Sequence, residues 1–212
     1  MNTSELLTVF RQEVADVALP YLWADALVYT YIDDAQKQFC RWTYGIADSR
    51  SFKLSVKPAT DWYRADPRIL KIRSAMDSVS GTDVPLVPSE KMAERGMRFD
   101  GRVGTPSAIV PDLDDNMLRV WPIPVVASTI LLRTFRLPTT VAAGEDLEIR
   151  DEHQLNLLLW VKHRAYGMQD SETTDKRKAA EYEEAFRAYC AAAKVEQDRL
   201  LRPVGRVSYG GI

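Results

Sequence analysis

The order of helical and strand-like patterns along the chain is the feature that most constrains its fold. Apolar residues recur at helical spacing from Thr3 to Tyr44 and again from Asp151 to Arg202. Between these segments lie short runs, bounded by Pro and Gly, in which apolar and polar residues alternate as in strands. Helices at the two ends of a chain can bury their apolar faces against each other. The pattern therefore predicts an α+β, mainly α fold: a helical bundle from the N- and C-terminal helices with an inserted small antiparallel β-domain.

The predicted boundaries follow from the same patterns. Residues 1–50 hold the N-terminal helices of the bundle, 51–147 the inserted β-rich region, and 148–202 the C-terminal helices, while 203–212 form an extended tail. With 212 residues, the chain has room for one domain with a substantial insertion. The tail is Gly-rich and has too few apolar residues for a core of its own.

Two helices are predicted before residue 50. Thr3 or Ser4 is suited to cap the first, and Pro20 ends or redirects it. The second is predicted from about Trp23 to Tyr44 and ends at Gly45. Its apolar stripe steps by three and four residues and contains Val28, Ile32, Ala35, Phe39 and Trp42.

Two more helices are predicted after residue 150. Asp151 and Gln154 have the spacing of a capping box, and the segment from Leu155 to Tyr166 is apolar nearly all round, which predicts a central helix. The last helix is predicted from about Thr174 to Arg202. Its aromatic and small-residue stripes supply the candidates for bundle or subunit-interface contacts: Phe186, Tyr189, Ala185, Ala188 and Ala192.

Five strands are predicted in the middle of the chain. Phe52–Val56 and Ile69–Met76 are separated by a segment around Trp62 that we predict to be a loop. A hairpin joins Ala108–Val110 to a strand ending at Trp121, and a further strand runs from Thr129 to Leu137. Their alternation favours an antiparallel sheet with one covered face.

No residue pattern points to catalysis or to a cofactor. His153 and His163, ten residues apart, lie about 80° off a common helix face, which disfavours a shared metal site. We expect His153 on the surface and His163 partly exposed. Cys40 and Cys190 lack metal-ligand spacing and are expected to be free, buried thiols in a reducing compartment. We therefore predict neither an enzyme nor a metal protein.

Three charged clusters have ordinary explanations. Asp112, with Asp114 and Asn116, alternates as in a calcium loop, but the required Gly and Glu are missing, which favours a plain hairpin turn. Asp33-Asp34 is expected to be a solvated helix edge. The basic run 176–178 is typical of a solvated helix start, with DNA contact as the alternative.

The net charge of −2 excludes a global basic signal for nucleic acid. No secretory signal is recognisable, and no apolar run approaches the roughly 18–20 residues of a membrane span. We expect no membrane contact.

Several weak motifs, in this order and spacing, resemble the head-to-tail connector (portal adaptor) proteins of tailed bacteriophages. The resemblance covers most of the chain. The first two motifs are the N-terminal helix pair ending in Ile32–Phe39, and Asp61-Trp62 followed by Arg68–Ile72. The other two are Arg119–Pro122 with the strand ending at Pro138, and Leu147–Ile149 leading into the central helix, the long Ala-rich helix and the tail.

The resemblance implies a structural virion protein at the head-tail junction, assembled in the host cytoplasm. It implies a ring of twelve copies that binds beneath the portal protein, lets DNA pass without sequence-specific binding and offers its far face to tail tube, nozzle or fibre proteins. The tail is expected to dock on the portal through Arg202, Val204, Arg206, Val207, Tyr209 and Ile212. Another oligomeric phage protein, for tail completion or regulation, and an unrecognised enzyme remain alternatives.

Overall fold

The computed structural model describes residues 1–98, 101–169 and 174–201. It divides into two compact units. A helical unit comprises Met1–Gly45 and the chain from Pro138 onward, and an inserted unit comprises Ile46–Leu137. The inserted unit thus begins and ends earlier than the predicted range of 51–147. The α+β class is confirmed, but with 37% helix and 25% strand the predicted weight on helix is not.

The helical unit has five helices, counted over the described residues. They are α1 (Thr3–Glu13), α2 (Asp25–Trp42), α3 (Asp151–Gln154), α4 (Leu157–Gly167) and α5 (Lys176–Leu201). Helix α4 contacts α1, α2 and α5. Its buried residues cover an arc of about 160° at 100° per residue, and Leu159 and Tyr166 on the remaining side are partly buried. The buried surface is therefore one broad face and not the whole circumference: Leu157, Leu158, Trp160, Val161 and Ala165.

Helix α1 begins with a capping box, but at another residue than predicted. The Asn2 side chain accepts the Glu5 amide at 2.8 Å, and the Glu5 carboxylate accepts the Asn2 amide at 2.9 Å. The predicted caps are wrong, because Thr3 is fully buried and its hydroxyl donates to the Ala142 carbonyl at 2.9 Å. This contact joins the first helix to the segment that precedes α3.

A buried ion pair holds the connection between α1 and α2. The Arg11 guanidinium donates to Asp16 at 2.6 Å, to the Trp23 carbonyl at 2.9 Å and to Asp25. Asp16 also accepts the Leu22 amide at 2.9 Å. Arg11 and Asp16 are both buried, and an unpaired charge in the interior would cost free energy. Each residue neutralises the charge of the other. The pair fixes the direction in which α2 leaves the loop.

The start of the C-terminal helices also differs from the prediction. Arg150 occupies the cap position without a side-chain cap bond, so the capping box of Asp151 and Gln154 is wrong. Gln154 is instead buried: its amide donates to the Ile149 carbonyl at 2.7 Å and its carbonyl accepts the N-terminal ammonium at 2.7 Å. Residues 155 and 156 form a turn that separates α3 from α4.

The inserted unit contains nine strands among its described residues and a 3₁₀ turn at Ser89–Lys91. The strands are β1 (Ile46–Val56), β2 (Trp62–Arg64), β3 (Ile69–Asp77), β4 (Asp83–Val84), β5 (Val103–Gly104), β6 (Ala108–Val110), β7 (Met117–Trp121), β8 (Ile123–Pro124) and β9 (Ser128–Arg136). The segment around Trp62 is therefore a strand, and the prediction of a loop there is wrong.

These strands form two antiparallel sheets and one parallel pair. A four-stranded sheet has the order β1-β9-β3-β4, a three-stranded sheet the order β2-β7-β6, and β5 pairs with β8 in parallel. The two larger sheets share one apolar core, which includes Leu54, Tyr63, Leu118, Ile130 and Leu132. The β6-β7 hairpin is confirmed, and Asn116 turns it with a φ of 55°.

The inserted unit begins and ends on neighbouring strands. Ile46 pairs with Arg136 at the first position of the β1-β9 ladder. Two residues further on, Asp48 accepts the Arg136 guanidinium at 2.8 Å and the backbone amides of Arg50 and Ser51 at 2.9 Å each. Burial acts to raise the pKa of Asp48, but these hydrogen bonds outweigh it and hold that pKa below its ordinary value.

Candidate functional site

Helix α5 has a buried face and an exposed face. The face on which a candidate residue lies decides whether it can pack inside the chain or contact another protein. One face is buried and carries Ala179, Phe186, Cys190 and Ala193. By 100° per residue, Ala188 and Val195 lie about 160–180° from Phe186, and both are exposed. The helix therefore packs along one side over about four turns, and its other side is exposed.

Phe186 lies inside an aromatic cluster. Its ring centroid is 5.5 Å from that of Trp42 and 5.4 Å from that of Trp160, and these two indoles meet edge to face at 5.3 Å. Phe186 is fully buried within the chain, so it offers no surface to a neighbouring copy. Of the two roles considered for this residue, the structure places it in the packing of α2, α4 and α5.

Tyr189 connects α5 to α3. Its hydroxyl lies 2.8 Å from Nδ1 of His153 and donates to the Glu152 carbonyl at 3.3 Å. His153 is only 4% exposed, so its predicted surface position is wrong. Desolvation lowers the pKa of His153 despite the opposing charge of Glu152. His163 is half-buried, as predicted, and contacts the Ala179 carbonyl at 2.9 Å.

The small residues on the open side of α5 are exposed. They are Ala185, Ala188 and Ala192, and Val195 follows on the same side. The remaining candidates, Arg202, Val204, Arg206, Val207, Tyr209 and Ile212, lie outside the described residues. The exposed stripe and the tail follow one another along the chain because α5 ends at Leu201.

Both cysteines are buried, and neither forms a disulfide. Burial raises the pKa of the Cys190 thiol to about 12, so the thiol stays protonated and unreactive near neutral pH. Among the described residues, no group of three or more His, Cys, Asp or Glu side chains is arranged to hold a metal ion.

The acidic turn before β7 is held by local hydrogen bonds. Asp112 accepts the Ser89 amide at 2.9 Å, and Asp114 accepts the amide of Asp115 at 2.9 Å and, through its carbonyl, that of Met117 at 3.2 Å. The Asp112 bond joins the β6-β7 hairpin to the 3₁₀ turn, and the Asp114 bonds close the turn before β7. The carboxylate oxygens of Asp112 and Asp114 thus accept hydrogen bonds from nearby backbone amides, as expected for a plain hairpin turn.

Asp33 and Asp34 connect elements, so the prediction of a solvated edge is wrong. Asp33 accepts the Lys37 ammonium at 2.5 Å and the Val141 amide at 3.2 Å. Asp34 accepts the Trp160 indole at 2.8 Å and the Arg164 guanidinium at 3.1 Å. The two carboxylates thus fix α2 to the Pro138 side of the unit and to α4.

The basic run at the start of α5 is paired with nearby acids. The Asp175 carboxylate accepts the Lys178 amide at 3.0 Å, a capping contact that lowers the pKa of Asp175. Arg177 lies 2.9 Å from Glu181. In the part of the chain that the structure describes, no helix is long and apolar enough to cross a membrane.

A helical unit interrupted by an inserted, mostly antiparallel unit defines an α+β protein. The family model described as SU10 adaptor protein matches residues 1–207, so the chain belongs to that family. The match confirms the resemblance to phage head-to-tail adaptors. No curated protein matches the chain significantly.

Proposed function

We propose that this chain is the head-to-tail adaptor of a tailed phage. It docks under the portal, extends the DNA channel and gives tail proteins their attachment surface. The observation that carries the proposal is the family match over residues 1–207. Structural adaptors act through contacts with other proteins, and the chain is accordingly proposed to be a non-enzyme of the virion.

The adaptor works as a ring of twelve copies. A closed ring needs two different surfaces on each subunit, one for each neighbour. The exposed side of α5, with Ala185, Ala188, Ala192 and Val195, supports this proposal because small side chains allow another backbone to approach closely. DNA passes through the ring without sequence-specific contacts.

The segment after α5 is the portal-docking element. Val204, Val207, Tyr209 and Ile212 are spaced apolar anchors, and Arg202 and Arg206 are suited to carboxylates on the portal. Gly205, Gly210 and Gly211 let such a chain follow a groove closely. The anchors must outweigh the entropy lost when the segment is fixed on its partner.

Truncation after Arg202 tests this proposal. The truncated chain keeps α5 whole, so it should melt like the full-length chain but lose binding to purified portal rings and fail to form infectious particles. A matched control changes Val79, an exposed residue of the inserted unit, to Ala and leaves the tail intact. Portal binding as tight as that of the full-length chain would show that the tail is only a frayed end.

A further inference from the structure

The charge of this chain is divided unequally between its two units. Residues 46–137 carry 14 Lys and Arg against 11 Asp and Glu, a net charge of +3, and the remainder carries 14 against 19, a net charge of −5. The overall value of −2 hides this division. Opposite fields on two parts of one chain favour contacts between unlike parts of two copies.

The positive charge of the inserted unit is concentrated on one face of the four-stranded sheet. Leu54 and Val56 of β1 point into the core, so Lys53, between them and Phe52, belongs to the opposite face. Lys57 is exposed and directly follows the end of β1 on the same alternation. Lys53 pairs with Leu131 of β9, which places Arg133, two residues on, on that same face.

Strand β3 adds two more cations to this face. Ser74 pairs with Arg133 and Lys71 pairs with Phe135, so Lys71 lies on the same side of the sheet. The Arg73 guanidinium carbon lies 5.0 Å from the Phe135 ring centroid, which puts Arg73 there too. We call these five residues the basic sheet face: Lys53, Lys57, Lys71, Arg73 and Arg133.

The cations of the basic sheet face have no acidic partner among the described residues. All five side chains are exposed. Elsewhere in the same unit, three arginines lie on carboxylates: Arg68 on Asp66, Arg119 on Asp61 and Arg136 on Asp48. Like charges on neighbouring strands repel. An acidic surface laid on this face would remove that repulsion.

The helical unit carries such a surface where its first residues meet the start of α3. We call it the acidic corner: Glu5, Glu145, Asp146, Asp151 and Glu152, all exposed. Backbone contacts join its parts, because Asn2 bridges to Asp146 and the Thr3 amide donates to the Glu145 carbonyl at 2.9 Å. Its cations are Arg150, 3.0 Å from Glu152, and the N-terminal ammonium, 3.8 Å from Asp151.

Both surfaces also carry apolar side chains. Leu131 and Met76 pair across β9 and β3 on the basic sheet face and are partly buried. Leu155 is 52% exposed beside the acidic corner. Apolar contact at the centre supplies affinity, and the surrounding charges fix orientation and speed association.

We propose that the basic sheet face of one copy docks on the acidic corner of the next. The proposal rests on the proposed function, since it names the subunit contact of the ring. Each copy offers one surface of each kind, so the contact is head to tail and can close. The alternative occupant is duplex DNA, but a face that holds DNA by releasing counterions would slow its passage through a channel.

Charge reversal on each surface tests the contact with the full-length chain. One variant carries Lys53→Glu, Lys71→Glu and Arg133→Glu, and the other carries Glu145→Lys, Asp146→Lys and Asp151→Lys. Sedimentation should show that each variant alone self-associates at least about tenfold more weakly than the unmodified chain. An equimolar mixture of the two variants should regain association, because each reversed surface then meets its complement.

A matched control reverses three exposed cations of the same unit outside this face: Lys91, Arg95 and Arg98. It changes the net charge equally and should associate like the unmodified chain, and thermal melts check that every variant folds. Raising NaCl from about 0.05 M to about 0.5 M should weaken association of the unmodified chain, because surface charges are then screened.

Three results would overturn the proposal. They are an unmodified chain that stays monomeric at low salt, reversed variants that associate unchanged, and a basic-face variant that loses only its binding to short duplex DNA. Portal binding separates this inference from the proposed function. If the unmodified chain self-associates in a charge-dependent way but does not bind the portal, only the proposed function is contradicted. If the reversed variants still self-associate and bind the portal, only this subunit contact is contradicted.

Discussion

At the scale of single residues, buried polar groups decide where the elements of the helical unit meet. The contacts of Gln154 with the N-terminus and of Asp34 with Trp160 join segments that are distant in the chain, and the contact of Arg11 with Asp16 fixes the loop after α1. Buried polar groups need partners, so such contacts allow few alternative arrangements. They specify geometry more than they add stability.

Arg11→Met is predicted to cost about 3–5 kcal/mol of unfolding free energy, because it leaves the buried Asp16 without its cation. Arg177→Met is the control, since Arg177 pairs with Glu181 on the surface of α5 and its loss should leave the unfolding midpoint almost unchanged. Urea melts of both variants measure the difference. Equal costs would mean that the Arg11 contact is not a buried one.

His153 is predicted to make stability depend on pH. The pKa of His153 in the folded chain lies below the ordinary 6.5. As pH falls through about 6.5, His153 is therefore protonated in the unfolded chain before it is protonated in the folded chain. Folding free energy should therefore be lost on acidification from pH 7 toward pH 5. His153→Gln should lose less over that interval, and urea melts at the two pH values provide the comparison. A variant with the same pH dependence as the unmodified chain would contradict this account.

At the scale of elements, α5 has one side that packs inside the helical unit and another side that is exposed. The side that carries Phe186 and Cys190 packs on α2 and α4, while the side that carries Ala188 and Val195 remains open. Intrinsic helix propensity explains alanine on an exposed face. The length of the helix, 26 residues, then carries that open face well beyond the aromatic cluster.

Substitutions on the two sides of α5 should differ sharply. Phe186→Ala is predicted to cost about 3–5 kcal/mol, because the ring is fully buried between two indoles. Ala188→Ser, on the open side, should change stability by about 0.5 kcal/mol or less. Denaturant melts test both. A loss under about 0.5 kcal/mol for Phe186→Ala would mean that the aromatic stripe is not part of the core.

The elements that were predicted correctly are those with a local signal. The stripe of α2 is buried at Val28, Ile32, Ala35 and Phe39, since a period of 3.6 is written directly in the sequence. Strand β2 was missed because it has only three residues and exists through its pairing with β7. His153 and Gln154 were misplaced because their partners come from distant elements.

The candidate surfaces likewise differ in whether a local sequence pattern could predict them. The spacing of apolar and small residues in α5 sufficed to separate Phe186 from Ala188. The basic sheet face could not be predicted, because it requires the register of three strands and the absence of neutralising partners around them. The acidic corner likewise requires that residues near 2 and 146 meet.

At the scale of the whole molecule, the chain is a helical unit interrupted by an inserted one. Ile46 and Arg136 are paired neighbours, so the insertion leaves and returns at one place. Cα atoms of directly paired antiparallel residues lie about 4.5–5.5 Å apart. A unit with adjacent ends can be inserted or removed at little cost to the rest of the chain.

Replacing residues 46–137 with a short Gly-Ser linker is therefore predicted to leave a folded helical unit. Far-ultraviolet circular dichroism should show its helices, and thermal melting should remain cooperative. The inserted unit expressed alone should give a sheet spectrum and its own melting transition. A helical unit that loses cooperative melting would show that the two parts fold only together.

The side-by-side ends of the inserted unit also determine how it would respond to force. Tension that separates the two units enters through Gly45 and Pro138, beside the pair formed by Ile46 and Arg136. The β1-β9 ladder is then loaded one pair at a time from its end, like a zipper, and not all at once in shear. The Asp48–Arg136 ion pair and the two backbone amides that donate to Asp48 lie at that loaded end. These contacts must break before the rest of the β1-β9 ladder can separate.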